Sequence, residues 1–159
     1  MTRHPISLTV NGEVITAEVR SAQLLSDFLR TELALTGTKR GCETGTCGAC
    51  SVTMDGDVVK SCLCLAVQAD GAVIKTVEGL GTPDAPSVLQ RAFMEHGGLQ
   101  CGYCTPGFLM AAKDLLSRIS DPDENQIRAA LSGNLCRCTG YQGIVDAIAA
   151  AAKDLHHGH

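Results

Sequence analysis

The stretch Lys39-Arg40-Gly41-Cys42-Glu43-Thr44-Gly45-Thr46-Cys47-Gly48-Ala49-Cys50 sets three cysteines at C-x4-C-x2-C inside a glycine-rich loop. Cys62 follows after a gap. Four thiolates at these intervals hold a 2Fe–2S centre, in which each tetrahedral iron takes two bridging sulfides and two cysteine sulfurs. A loop that supplies three of the four must wind its backbone around the cluster. Gly37, Gly41, Gly45 and Gly48 permit the positive φ angles and close N–H approaches that this winding requires. Those N–H groups stabilise a negative cluster and tune its potential.

Outward from the loop, the pattern is that of a small mixed domain. Ile6, Leu8 and Val10 alternate, Asn11-Gly12 follows, and Val14 to Val19 is extended, which predicts a hairpin. From Ser21, read as an N-cap, Leu24, Leu25, Phe28, Leu29 and Leu33 recur at helical spacing. Val52 to Met54, Asp55-Gly56 and Val58 to Ser61 predict a second hairpin, and Val73 to Val77 a further strand. On a strand, Cys62 and Cys64 share one face, so spacing leaves either as a possible fourth ligand. Cys62 is chosen, and Cys64 is read as a small buried apolar residue.

A second set of cysteines lies in the other half. Cys101 and Cys104 form C-x2-C just before a helix opened by Thr105 and Pro106. Cys136 and Cys138 form C-x-C on a turn between two helices. Free N–H groups and the dipole at a helix N-terminus favour an anionic cluster. By spacing alone, a four-cysteine zinc site stays open here; it fits the first set poorly. Ser87 to His96, Thr105 to about Ser117, a helix capped by Asp123 with Gln126, and an alanine-rich stretch around Ile144 and Ile148 give four helices. The expected organisation is residues 1–78, a Gly- and Pro-rich linker at 79–86, and a helical domain at 87–159 with a disordered tail at His156, His157 and His159. Each half spans roughly 75 residues, a size at which apolar burial alone leaves little stability. Bound metal is therefore expected to be structural as well as redox-active.

Composition narrows the function. The net charge is −4 with 13 Lys and Arg, which speaks against nucleic-acid binding. No apolar run is long enough to span a membrane. Nine cysteines with no export signal in Met1 to Val10 predict a reducing, cytoplasmic setting rather than a disulfide scaffold. No Ser–His–Asp arrangement, carboxylate pair or phosphate loop stands out, so no catalytic residue is assigned. His96 is read as structural, because both four-thiolate sets are complete without it. Arg137, between two thiolates, either offsets cluster charge or faces solvent.

Three stretches carry a resemblance: Lys39 to Cys50 above, Gln100-Cys101-Gly102-Tyr103-Cys104-Thr105-Pro106-Gly107, and Gly133-Asn134-Leu135-Cys136-Arg137-Cys138-Thr139-Gly140-Tyr141. In this order, from about Leu8 to Leu155, the chain resembles the small iron–sulfur subunit of the molybdenum hydroxylase (xanthine oxidase) family. The resemblance implies an α+β fold: an N-terminal β-grasp, plant-type ferredoxin domain, then an all-α four-helix domain with the second 2Fe–2S cluster. It implies a large partner subunit with a molybdenum–pterin cofactor and, often, a medium subunit with FAD. Electrons would pass from molybdenum to the helical-domain cluster, then to the ferredoxin-domain cluster, then to the flavin. Gln100 and Cys138 would lie against the partner's molybdopterin. The competing readings are a free-standing two-cluster ferredoxin shuttle and a zinc-stabilised interaction module. Two clusters in series suit a fixed relay better than a shuttle, which needs one.

Metal and sulfide analysis should return about four irons and four labile sulfides per chain. The reduced protein should give two distinguishable 2Fe–2S signals; stoichiometric zinc in either site, or one signal integrating to a single spin, contradicts the assignment.

Overall fold

The computed structural model describes residues 2–157. Strands β1 (Arg3–Val10) and β2 (Glu13–Arg20) pair antiparallel through the Asn11-Gly12 turn. Asn11 and Gly12 both take positive φ, 51° and 91°, which matches the right-handed twist of the flanking strands. A single helical turn, α1 (Leu25–Asp27), runs directly into a wider π-type turn over Phe28–Glu32. The second hairpin is β3 (Ser51–Met54) with β4 (Asp57–Lys60), and β5 (Val73–Lys75) lies between the two hairpins. The sheet order is β2-β1-β5-β3-β4, with β1 and β5 parallel and the other pairs antiparallel. Inward-facing Ile6, Leu8, Val10 and Val19 meet Leu25, Phe28, Leu29, Val52 and Ile74 in one core.

Two local expectations change. Ser21 does not cap the helix: its Oγ pairs with His4 Nε2 at 2.9 Å, and the helix begins one turn later, after Leu24. Strand β4 ends at Lys60, so Cys62 sits in a separate 3-10 turn, Ser61–Leu63, rather than at a strand end. In a turn of three residues per revolution, positions two apart do not share a face. The same-face argument for Cys64 therefore lapses.

The second half is helical: α2 (Val88–Glu95), α3 (Thr105–Arg118), α4 (Glu124–Ala130) and α5 (Gln142–His157). Ser87 with Gln90, and Asp123 with Gln126, form reciprocal capping boxes. Phe93, Phe108, Leu115, Ile127, Ile144 and Ile148 are the centre of a separate core, against which Val77 and Leu80 also pack. Helix α5 runs to His157 and so takes in His156 and His157, which were expected in a disordered tail; His159 lies outside the described residues. No helix among the described residues is long and apolar enough to cross a membrane.

Backbone contacts join the halves. Gly107, in the first turn of α3, sits against the Gly48 carbonyl, and a Cβ there would clash with it. Gly48 itself has φ 74° and faces the Gly133 carbonyl. Asn134, 4% exposed, donates from Nδ2 to the Gly48 carbonyl at 3.2 Å. At the junction, the Asn11 side chain accepts from the Thr76 N–H at 2.9 Å and donates to the Thr76 hydroxyl at 2.9 Å.

Gly107→Ala should therefore push α3 away from the cysteine loop, at a cost of about 1–3 kcal/mol. Thermal unfolding of the holoprotein should register the lowered stability, and an unchanged midpoint would show that the helix can shift freely.

Candidate metal centres

The two cysteine sets are brought to neighbouring ends of the two halves. Cys42, Cys47 and Cys50 come from the loop before β3, and Cys62 from the 3-10 turn after β4. Cys50 and Cys62 are buried, while Cys42 and Cys47 are half-buried. Cys101 and Cys104 precede α3, and Cys136 and Cys138 lie in the connection from α4 to α5. Here the exposure splits cleanly: Cys104 and Cys136 are half-buried, Cys101 and Cys138 exposed.

The thiols act on one another in pairs: Cys47 on Cys42, Cys50 on Cys62, Cys136 on Cys104, and Cys101 on Cys138. Among the described residues, no three His, Cys, Asp or Glu side chains converge as they would around a single metal ion. Two pairs per set match a binuclear cluster, in which each iron takes two thiolates, better than a four-coordinate zinc ion.

Donors around the sulfurs favour anionic thiolates. The N–H groups of Thr44 and Cys47 point at Cys42 Sγ, at 3.4 and 3.3 Å. The Thr44 side chain, and then these N–H groups, hold the Cys42 thiol down at about 6. Around Cys136, burial pushes the thiol up, but the Thr139 hydroxyl and N–H, at 3.1 and 3.4 Å, outweigh it and leave the net shift downward. Burial, then the neighbouring Cys136, pushes Cys104 up to about 12. Burial and then Cys50 raise Cys62, while the Cys101 thiol raises Cys138. The Thr105 hydroxyl, next in the chain to Cys104, is buried without a partner in the protein. Such a donor suits a cluster sulfur.

The Cys136–Tyr141 segment folds on itself to make this environment. Gly140 and Tyr141 both adopt positive φ, 67° and 71°, which turns the tyrosine back over the loop. The Tyr141 hydroxyl accepts from the Cys136 N–H at 3.0 Å, and its ring packs edge-on against Phe108 at 6.1 Å. Thr44, Thr139 and Asn134 carry roles that the cysteine pattern did not reveal. All three lie inside the quoted motifs, so their place beside the cysteines was the available signal.

Cys64 packs against the N-terminal core, and burial raises its thiol. Gln100 is exposed, and its side chain makes no hydrogen bond among the described residues. Arg137 is exposed. His96 caps the end of α2 and is exposed.

Between the two sets, the Leu135 N–H donates to the Cys47 carbonyl at 2.9 Å. Leu135 precedes Cys136, so one hydrogen bond links a cysteine of the first set to the chain neighbour of a cysteine of the second. Tyr103, between Cys101 and Cys104, donates its hydroxyl to the Arg40 carbonyl at 2.6 Å. Arg40 in turn pairs with Asp27 at 2.7 Å and with Glu43.

Fold and site together define a two-cluster iron–sulfur protein, and comparison with known proteins agrees. Residues 8–75 match the family described as 2Fe-2S iron-sulfur cluster binding domain, and residues 76–149 the 2Fe-2S binding domain. The chain is 54% identical over 151 residues to caffeine dehydrogenase subunit gamma of a Pseudomonas species, covering 93% of this chain and 90% of that one. It is 53% identical over 146 residues to the nicotine 6-hydroxylase small subunit of Paenarthrobacter nicotinovorans, covering 92% and 88%. The solved quinoline 2-oxidoreductase of Pseudomonas putida 86 matches with a TM-score of 0.93 at 46% identity, over 98% of both chains. The aldehyde oxidoreductase of Desulfovibrio gigas also gives 0.93 at 46% identity; there, the match covers 18% of a longer chain. The chain belongs to the small 2Fe–2S subunits of the molybdenum hydroxylase family. It is an electron-transfer component of an oxidoreductase complex, with two 2Fe–2S clusters.

Cys64→Ser should leave both clusters assembled, because serine fills a small half-buried position at modest cost. Cys62→Ser should damage the N-terminal cluster alone, since a hydroxyl is a poor substitute for a soft thiolate. Iron content and the two paramagnetic signals distinguish the variants, and the reverse pattern would reassign the ligand.

Proposed function

We propose that this chain is the non-catalytic relay of a molybdenum hydroxylase-type complex. Cys42, Cys47, Cys50 and Cys62 hold one 2Fe–2S cluster, and Cys101, Cys104, Cys136 and Cys138 the other. Each cluster, when bound, takes up and releases one electron at a time. The chain's own part is to fix the two sites in series and to present one of them to a partner. The observation that carries this reading is the Cys47 carbonyl to Leu135 N–H contact, together with the graded exposure of the second set. Cys101 and Cys138 lie at the surface, Cys104 and Cys136 deeper, and the hydrogen bond leads from there to Cys47.

The surface around the exposed pair fits a docked subunit. Leu99, Tyr103 and Leu135 are exposed apolar side chains flanking these cysteines in the chain. Exposed apolar side chains beside an exposed pair of cysteines support a docked partner there. Gln100 offers an amide donor and acceptor with no internal partner, as recognition of a heterocycle requires. We therefore assign this face to a large subunit carrying the molybdenum–pterin cofactor, with Gln100 and Cys138 beside the pterin. Electrons then pass to the N-terminal cluster and on to FAD on a medium subunit or to another acceptor. Relatives of similar identity are named for caffeine, nicotine and nicotinate, which supports a reading in which substrate choice lies outside this chain.

Gln100→Ala tests the direction. It removes a cross-subunit hydrogen bond worth roughly 0.5–1.5 kcal/mol, too little to prevent assembly of a large obligate interface. In the purified complex, the helical-domain cluster signal should change or its reduction by substrate slow, with the N-terminal signal unaltered. A change confined to the N-terminal cluster would reverse the order of the relay.

A further inference from the structure

Lys60 closes β4, two residues before Cys62. Its Nζ donates to Ser51 Oγ at 3.2 Å and to the Gly133 carbonyl at 2.9 Å. Ser51 follows Cys50, and Gly133 belongs to the connection that carries Cys136. The half-buried ammonium is thus held where the two cysteine sets approach each other. The ion pairs among the described residues join Arg40, Arg118 and Arg128 to carboxylates, and none includes Lys60. Its protein partners are neutral oxygens. Its positive charge is therefore left for a nearby anion to offset.

We propose that Lys60 is the charge that biases electron placement between the two clusters, favouring the N-terminal one. This rests on the cluster assignment under Proposed function. A unit positive charge stabilises an added electron nearby, and the effect falls with distance. Lys60 is bonded to the neighbour of Cys50 and lies on the same short stretch as Cys62, whereas it reaches the second set only through the Gly133 carbonyl. The N-terminal cluster therefore feels the charge more strongly. The two hydrogen bonds fix the ammonium in place, so that its field is constant rather than averaged over a mobile side chain.

The test is a redox titration of the holoprotein, following both 2Fe–2S signals, with the N-terminal signal identified as the one that Cys62→Ser removes. Lys60→Met and Lys60→Gln should both lower the N-terminal midpoint relative to the other, shifting electron distribution about tenfold, or ~59 mV for a one-electron couple. Lys60→Arg keeps the charge and should stay near the original values. Lys60→Gln keeps a donor for Gly133, so a clasp without an electrostatic role would leave its potentials unchanged. Unchanged midpoints in the neutral variants, a larger shift at the helical-domain cluster, or an arginine variant that shifts as far as methionine would overturn the proposal. Loss of the two-signal spectrum from the unsubstituted protein would instead overturn the cluster assignment beneath it.

Discussion

Direct backbone contact between the two cysteine loops is the constraint on which the rest of this structure depends. The Cys47 carbonyl accepts from Leu135, the Gly48 carbonyl from Asn134, and Gly107 brings the first turn of α3 against the same peptide. None of these bonds is worth more than about 1.5 kcal/mol net. Their importance is geometric. A side chain at position 48 or 107 would separate the loops, and every cross-link beyond them would lose its partner. Tyr103 to Arg40 and Lys60 to Gly133 lie on the margins of this contact and depend on the spacing that it sets.

The same closeness creates an electrostatic problem that shapes the sites. Thiols packed this closely do not ionise independently: the Cys101 thiol raises Cys138, and Cys50 adds to the burial that raises Cys62. Cys136 is lowered by Thr139 while its partner Cys104 is pushed up to about 12 by burial and by Cys136. Metal binding requires all ligands deprotonated, so it must displace the protons that burial retains, and its free energy is coupled to folding. That coupling suits two small cores. Neither the sheet core around Phe28 and Ile74 nor the helical core around Phe108 and Ile148 is large.

Local pattern carried much of this into the sequence. The Asn11-Gly12 and Asp55-Gly56 hairpins, the Ser87 and Asp123 caps and the α3 start before Pro106 all follow from residues within one turn of each other. Ser21 misled because a competing partner, His4 on the adjacent strand, takes its hydroxyl. The 3-10 turn at Cys62 was illegible for a different reason. Ser61 is tied back to the Cys50 carbonyl through both its N–H and its hydroxyl, and eleven residues separate the partners. The contacts between halves were further still from view: Tyr103 to Arg40, Lys60 to Gly133 and Asn134 to Gly48 span 63, 73 and 86 residues. Such contacts end on carbonyls, and a carbonyl leaves no mark in a sequence.

This division explains why the metal sites were easier to read than the relay. A cluster demands particular residue types at particular intervals, so its signature survives in one dimension. Coupling between clusters demands only that peptides touch, and glycine, leucine and asparagine can make those contacts without a distinctive pattern. Gly48, Leu135 and Asn134 sit within the motifs, yet their function emerges only when the two halves are docked. The asymmetry of the second site has a source within its own half: Cys104 and Cys136 pack against the helical core, and the outer pair is left at the surface. A chain built in this way has a protected side and an open side. That polarity, rather than the presence of two clusters, is what a relay needs and a freely diffusing shuttle does not.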